Sequence, residues 1–291
     1  MSSPLLVRDR SALAGALEEG PRVAVMTMGA LHQGHLDLVA AARRHEPAGQ
    51  VIVTIFVNPL QFGPTEDYEA YPRTLDADLE TLEGIGADLV YAPSVRDMYP
   101  GGKPRVTVDP GPLGQVFEGA IRPGHFTGVT TVVHKLASRT VATAAVFGQK
   151  DAQQLAVIRQ MNQDLDLGWE VIAVPTRREA DGLAMSSRNR YLTAAEREQA
   201  LALPRGLDAG REAARGGAGA CQVRQAARRA AGLAGGPAGG LEAPDYFEVV
   251  DPATFMPLDD SWDGRPALLI GALRVGHTRL IDNTGVSWMI E

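Results

Sequence analysis

One cysteine, Cys221, is all that 291 residues contain. A lone thiol excludes an internal disulfide and a cysteine metal cluster, and its Ala/Gly/Arg-rich neighbourhood, without a histidine close in sequence, marks it as incidental. Long apolar runs are also missing. None approaches the roughly 18 residues that cross a bilayer, and charge interrupts the N-terminal stretch Met1-Ser-Ser-Pro-Leu-Leu-Val-Arg-Asp-Arg where a secretory signal would be apolar. The expectation is a cytoplasmic protein with no membrane partner. Excess positive charge is absent too: the net charge is −7, which argues against nucleic acid as a partner, because that affinity comes from basic patches releasing counterions. Lysine is scarce, with three (Lys103, Lys135, Lys150) against 25 arginines, so a lysine inside a motif carries information. Neither GxGxxG nor GxxxxGKS/T occurs, which leaves hydride transfer and ordinary NTPase chemistry without support.

What is present reads as a globular α/β protein, with 45% hydrophobic and 22% charged residues. Strand-like apolar runs at Arg22–Thr27, Val51–Val57, Asp88–Tyr91, Val141–Phe147 and Trp169–Val174 alternate with helical patterns at Leu36–His45, Leu75–Glu83, Phe126–Arg139 and Asp151–Asn162. Alternation of this kind predicts a Rossmann-like parallel sheet with helices on both faces, whose ligands sit beyond the carboxyl ends of the strands. After Val174 the character changes. A polar loop leads to Thr193-Ala-Ala-Glu196, a capping box. An Ala/Gly/Arg-rich stretch follows, in which Val223, Ala227 and Ala230 permit a helix, then strand-like runs at Asp245–Val250, Ala267–Leu273 and Thr278–Ile281. The expected organisation is a Rossmann-like domain over 1–176 and a smaller α+β C-terminal lid domain over 177–291.

Four stretches carry chemistry. Met26-Thr-Met-Gly-Ala-Leu-His32-Gln-Gly-His35 places two histidines around a glycine where a strand gives way to a helix. Free N–H groups and the positive dipole end favour an anion there, and Gly34 lets a phosphate approach the backbone. A capping role explains one histidine, whereas two, three apart and on one side, favour phosphate. Phe56-Val-Asn58-Pro-Leu-Gln61 ends the second strand with two amides, which suit a small hydroxylated ligand or form a plain Asn-Pro turn. Phe147-Gly148-Gln149-Lys150-Asp151-Ala-Gln-Gln154 repeats the pattern of strand end, glycine and helix start, with Lys150 as a compact cation and Gln154 one turn on. Arg178-Glu-Ala-Asp-Gly-Leu-Ala-Met185-Ser186-Ser187-Arg188-Asn-Arg190 offers hydroxyls and a guanidinium that can wrap phosphates bidentately.

Together, TMGALHQGH, FVNPLQFG, FGQKDAQQLAVIRQM and EADGLAMSSRNRYL resemble the pantothenate synthetase family of the HxGH nucleotidylyltransferase superfamily, in that family's order and spacing. The segments Tyr71-Pro-Arg-Thr and Arg122-Pro-Gly-His125-Phe-Thr-Gly128-Val match as well. The resemblance implies an enzyme that uses ATP to join pantoate to β-alanine. Pantoate attacks the α-phosphorus, pyrophosphate leaves, and the amine then displaces AMP from a pantoyl adenylate. It assigns catalysis to His32, His35, Lys150 and Arg188, with His35 also a proton donor. ATP contacts fall to Met28, Gly29, Ala30, Leu31, His32, Gln33, Gly34, His35, Gly148, Gln149, Lys150, Asp151, Arg177, Met185, Ser186, Ser187 and Arg188. Pantoate and β-alanine contacts fall to Gln61, Gln154, Asn58, Met28, Arg122 and His125. Mg²⁺ and a homodimer through the first domain are implied, with Asp78 nominated beside the metal. Three positions depart from the family pattern: Ala77 stands where a second carboxylate is usual, Arg177 where a small apolar residue is, and Gln149 where Glu is common. A nucleotidylyltransferase that stops at nucleotide transfer, and a non-catalytic nucleotide-binding regulator, are the alternatives. The second should lack Lys150 or Arg188.

Overall fold

The computed structural model describes residues 3–64, 68–233 and 244–288. These divide into two compact units, one of Met1–Gln149 with Gln153–Pro175 and the other of Lys150–Ala152 with Thr176–Glu291. Unit one holds strands β1 (Leu5–Val7), β2 (Arg22–Thr27), β3 (Gln50–Ile55), β4 (Leu89–Tyr91), β5 (Ala144–Gly148) and β6 (Glu170–Val174), and unit two holds β7 (Tyr246–Val250), β8 (Ala267–Val275) and β9 (Thr278–Val286).

The first six form one sheet in the order β1-β4-β3-β2-β5-β6, every pair parallel. Its central strands are apolar at consecutive positions because both faces are covered. Val23, Val25, Val51, Val53, Val90 and Val146 pack with Leu38, Val39 and Ala42 of the helix Gln33–His45 and with Leu82 of the helix Leu75–Leu82. Alternate residues point to the opposite face, and there Ala24, Ile52 and Ala145 are equally buried. The strand–helix alternation expected from the sequence is therefore present. Among the elements that were not anticipated, two have a clear reason. β1 pairs with β4 at the sheet edge, in three residues too short to show a period. The helix Ala202–Arg215 contains Pro204, Gly206 and Gly210, residues that ordinarily break helices. Pro204 falls in the first turn, where no N–H is needed. The glycines face close neighbours: a Cβ on Gly210 would lie 2.3 Å from Leu269 Cδ2.

Unit two is the antiparallel sheet β7-β8-β9 with Leu203, Leu207, Val223, Ala227, Phe247, Leu269 and Leu273 in its core. The expected capping box is formed at Thr193 and Glu196, opening the helix Ala194–Ala200, and a helix spans Ala220–Ala230. The end of the glycine-rich stretch, 234–243, lies outside the described residues. Among the described residues no helix is long and apolar enough to cross a membrane.

One close approach positions the ligand edge of the sheet. The helix His125–Thr140 crosses the loop after β3 at Gly128, where an added Cβ would lie 2.4 Å from the Leu60 carbonyl oxygen and 2.7 Å from Gln61 N. Both are backbone atoms, so no side-chain motion relieves the clash. Gly128→Ala is expected to destabilise the protein by at least about 2 kcal/mol, read as a lowered urea-denaturation midpoint at unchanged slope.

Candidate active site

β2 is flanked by β3 on one side and β5 on the other, so the chain departs in opposite directions from the carboxyl ends of β2 and β5, leaving a crevice of the kind that binds ligands in open α/β sheets. Met28–His35 follows β2, Asn58–Gln61 follows β3, and Gly148–Gln149 lies at the end of β5.

The loop after β2 reverses through two left-handed residues, Gly29 with φ 84° and Ala30 with φ 51°. Gly29 has no room for a side chain, since a Cβ would lie 3.0 Å from Asp78 Oδ2 and 3.1 Å from Ile55 Cγ2. Ala30 pays the steric cost of a Cβ in that region, about 1–2 kcal/mol. Asp78 offsets it. This carboxylate, 2% exposed, accepts from Ala30 N at 3.0 Å through Oδ2 and from Leu31 N at 2.7 Å through Oδ1. The metal role anticipated for Asp78 therefore needs correcting, because both oxygens are committed to the loop. No three His, Cys, Asp or Glu side chains gather as a metal cage among the described residues. Among the described residues the donors do not fit a resident metal ion.

His32 is the N-cap of the helix Gln33–His45 and His35 its third residue. His32 Nδ1 accepts from Gly34 N at 3.2 Å, and His35 Nδ1 accepts from His32 N at 3.2 Å. The two rings stand 4.0 Å apart between centroids. A nitrogen that accepts carries no proton, so each neutral ring bears its hydrogen on Nε2. The reciprocal cap thus does two things: it satisfies orphan helix donors, and it makes both imidazoles Nε2–H donors at a helix N-terminus. Capping and anion binding, posed as alternatives from the sequence, are compatible in one geometry.

The amide cluster after β3 is built differently from expectation. Asn58, 1% exposed, uses its whole carboxamide inside the protein. Oδ1 accepts from Tyr99 OH at 2.8 Å and Leu60 N at 3.3 Å, while Nδ2 donates to Gly128 O at 3.1 Å and Gln61 Oε1 at 3.2 Å. A substrate contact by Asn58 is replaced by support of Gln61. The Gln61 carbonyl accepts from His125 Nδ1 at 2.8 Å and from Arg122 Nη2 at 3.4 Å, and Arg122 Nη1 donates to His125 Nε2 at 3.1 Å. Since a carbonyl only accepts and a guanidinium only donates, His125 is the Nδ1–H tautomer. These contacts of Arg122 and His125 bracket Gln61's backbone. Gln61 Nε2 itself lies 3.0 Å from Met28 Sδ, a weak acceptor.

Gln153 and Gln154 divide their tasks. Buried Gln153 ties its Nε2 to Leu113 O at 2.7 Å and Val116 O at 2.8 Å, and its Oε1 accepts from Glu118 N at 3.1 Å. Half-buried Gln154 lies one position on in the same helix, and among the described residues no hydrogen bond occupies its side-chain amide.

In unit two, Arg178 grips Asp282 through Nη1 at 2.6 Å and Nη2 at 3.1 Å and reaches Gly182 O at 3.0 Å, pinning the loop that leads to Met185, Ser186, Ser187 and Arg188. Burial opposes its charge, and the Asp282 hydrogen bonds and charge outweigh that opposition, so Arg178 is held above its ordinary range. Ser186 Oγ accepts from Arg188 N at 3.3 Å, opening a turn of 3₁₀ helix over Ser187–Tyr191. Asn283, next to Asp282 on β9, donates to Lys150 O at 2.9 Å. The Lys150 ammonium lies 3.9 Å from Asp151. Exposed Arg177 uses its carbonyl to accept from Met185 N at 2.9 Å, a backbone role that tolerates its unusual side chain. Sequence reasoning missed Asp282 and Tyr99, because neither adjoins a motif.

Asp78→Ala would strand one buried and one part-buried N–H group and release a strained loop, so a loss of about 2–4 kcal/mol in stability is expected, with weakened ATP binding by calorimetry. Excess Mg²⁺ should not restore the affinity; restoration would return Asp78 to a metal role.

Residues 7–285 match the family model described as pantoate-beta-alanine ligase. The pantothenate synthetase of Acidothermus cellulolyticus is 52% identical over 93% of this chain and 87% of its own, and that of Streptomyces avermitilis is 46% identical over 96% of each. Among solved structures, pantothenate synthetase from Thermus thermophilus superposes with a TM-score of 0.89 at 46% identity, covering 96% of this chain and 98% of its own. A pantoate-beta-alanine ligase from Francisella tularensis, complexed with beta-gamma ATP and beta-alanine, gives a TM-score of 0.76 at 30% identity over 97% of both chains. With a strained loop that presents two Nε2–H imidazoles at the switch point of a parallel sheet, and with relatives matched over nearly all of its length, the chain is an enzyme of the pantoate-beta-alanine ligase family.

Proposed function

We propose that the chain ligates (R)-pantoate to β-alanine in two steps, with the residues above in defined roles. The pantoate carboxylate attacks the α-phosphorus of ATP, and the bond to the bridging oxygen of pyrophosphate breaks. The β-alanine amine then attacks the acyl carbon of the pantoyl adenylate, AMP departs and the amine loses a proton. The observation that carries this reading is the paired Nε2–H donors of His32 and His35 beside the helix N-terminal amides. Charge building on phosphate oxygens is best stabilised by donors already oriented before reaction. His35 also serves as a proton donor. Lys150, Ser186, Ser187 and Arg188 supply further phosphate contacts, with Gly148, Gln149, Asp151, Met185 and the Arg177 backbone lining the nucleotide. Gln61 and Gln154 donate to pantoate oxygens, and Met28 packs against its methyl groups.

Mg²⁺ enters as the counter-ion of the ATP phosphates, since it is commonly held by substrate oxygens and water rather than by an all-protein cage. The protein works in the cytoplasm as a homodimer joined through its first unit.

AMP release is expected only when ATP, pantoate and β-alanine are all supplied, with pantoate-dependent exchange of pyrophosphate into ATP persisting when β-alanine is withheld. Equal AMP formation without pantoate would overturn the reading. Lys150→Ala should lower kcat/KM by about 10² to 10³, near 3 kcal/mol of transition-state stabilisation, whereas near-normal turnover removes Lys150 from the chemistry. His32→Asn retains a good N-cap acceptor while deleting the Nε2–H donor. Its folding stability should stay within about 0.5 kcal/mol of the parent while turnover falls by at least about tenfold, the worth of one charge-assisted hydrogen bond.

A further inference from the structure

Gln61 can face a ligand in two ways, with its carbonyl or with its N–H₂, and only the second suits a carboxylate or hydroxyl oxygen. Nothing in the Gln61 side chain decides between them. The decision is made by a neighbouring side chain: Asn58 Nδ2 occupies Gln61 Oε1 at 3.2 Å, which leaves the Gln61 N–H₂ group against Met28 Sδ at 3.0 Å. Asn58 is itself oriented by its own partners. Leu60 N at 3.3 Å and Gly128 O at 3.1 Å agree on which end is oxygen, but the shortest contact is the 2.8 Å bond from Tyr99 OH. Tyr99 is 6% exposed, and its ring centroid lies 6.1 Å from that of Phe56, with the Lys135 ammonium 6.0 Å from its own centroid. Burial holds the phenol above its ordinary range, so the hydroxyl that contacts Asn58 Oδ1 keeps its proton.

We infer that Tyr99 is a positioning residue for the acid substrate: by anchoring Asn58, it holds the Gln61 amide in the orientation whose N–H₂ group donates to pantoate oxygens. Tyr99 bonds Asn58 rather than substrate. Leu60 N and Gly128 O set which end of the Asn58 carboxamide is oxygen, and the Tyr99 hydroxyl anchors that carboxamide so that its Nδ2 keeps Gln61 Oε1 occupied. The inference rests on the reading of Gln61 as a pantoate contact.

Tyr99→Phe removes only the hydroxyl and leaves the ring in its packing. The expected result is a rise of about 3- to 10-fold in KM for pantoate, the worth of one neutral hydrogen bond, with KM for ATP and kcat within twofold of the parent. In a Gln61→Ala background, itself raised in pantoate KM, the same substitution should add nothing, because the orientation it sets has no group left to act on. A merely structural role would move all three parameters together, or act equally in both backgrounds, and either outcome overturns the inference. An unchanged pantoate KM in Tyr99→Phe, with a raised one in Gln61→Ala, also overturns it while leaving Gln61 as a contact. No effect of Gln61→Ala removes the contact and the inference with it.

Discussion

The carboxylate of Asp78 is the constraint on which the loop after β2 depends. A reversal through Gly29 and Ala30 is needed to bring the end of β2 into the helix that carries His32 and His35, and one of those residues sits in the left-handed region with a Cβ. Such a conformation persists only when its surroundings over-determine it. Asp78 does so by taking two successive backbone N–H groups, one per oxygen. The cost of burying a charge is met by charge-assisted hydrogen bonds.

A comparable arrangement recurs at several polar side chains close in space or sequence to Gln61 and Gln154. Asn58, Arg122, His125 and Gln153 carry polar groups that could serve ligands, yet the bonds resolved for them lead into the protein. Asn58, Arg122 and His125 converge on Gln61, and Gln153 anchors the turn at Leu113–Val116. A recognition group held only by its own rotamer bonds would wander over distances that matter to reactivity, whereas one locked by a supporting layer arrives at a fixed geometry. In unit two the bidentate Arg178–Asp282 pair plays the corresponding part for the loop carrying Ser186 to Arg188, and Asn283 next to it secures the backbone at Lys150.

Much of the fold was legible in the sequence, and the reasons are local. β2 reads correctly to the residue because four of its six side chains are apolar and a Met-Gly turn ends it. The capping box at Thr193 and Glu196 is a pattern of four residues that makes its own hydrogen bonds. The helix Ala202–Arg215 was illegible because its glycines are intelligible only beside Leu269 and Phe247, which come from strands far along the chain. β1 is visible only through its partner β4.

By itself the sequence determined the alternation that makes a parallel sheet, the strand ends at which chemistry can occur, and the pair of histidines at a helix start. Those follow from periodicity, turn residues and spacing, which act within a few positions. The tertiary structure alone decided which polar groups are bonded within the protein and to what. Asp78 lies 47 positions from Leu31, and Tyr99 lies 41 from Asn58, yet each pair shares one hydrogen bond. Whether a buried carboxylate meets a metal or a backbone amide, and whether a carboxamide shows oxygen or nitrogen, depends on partners that only the closed fold brings within about 3 Å.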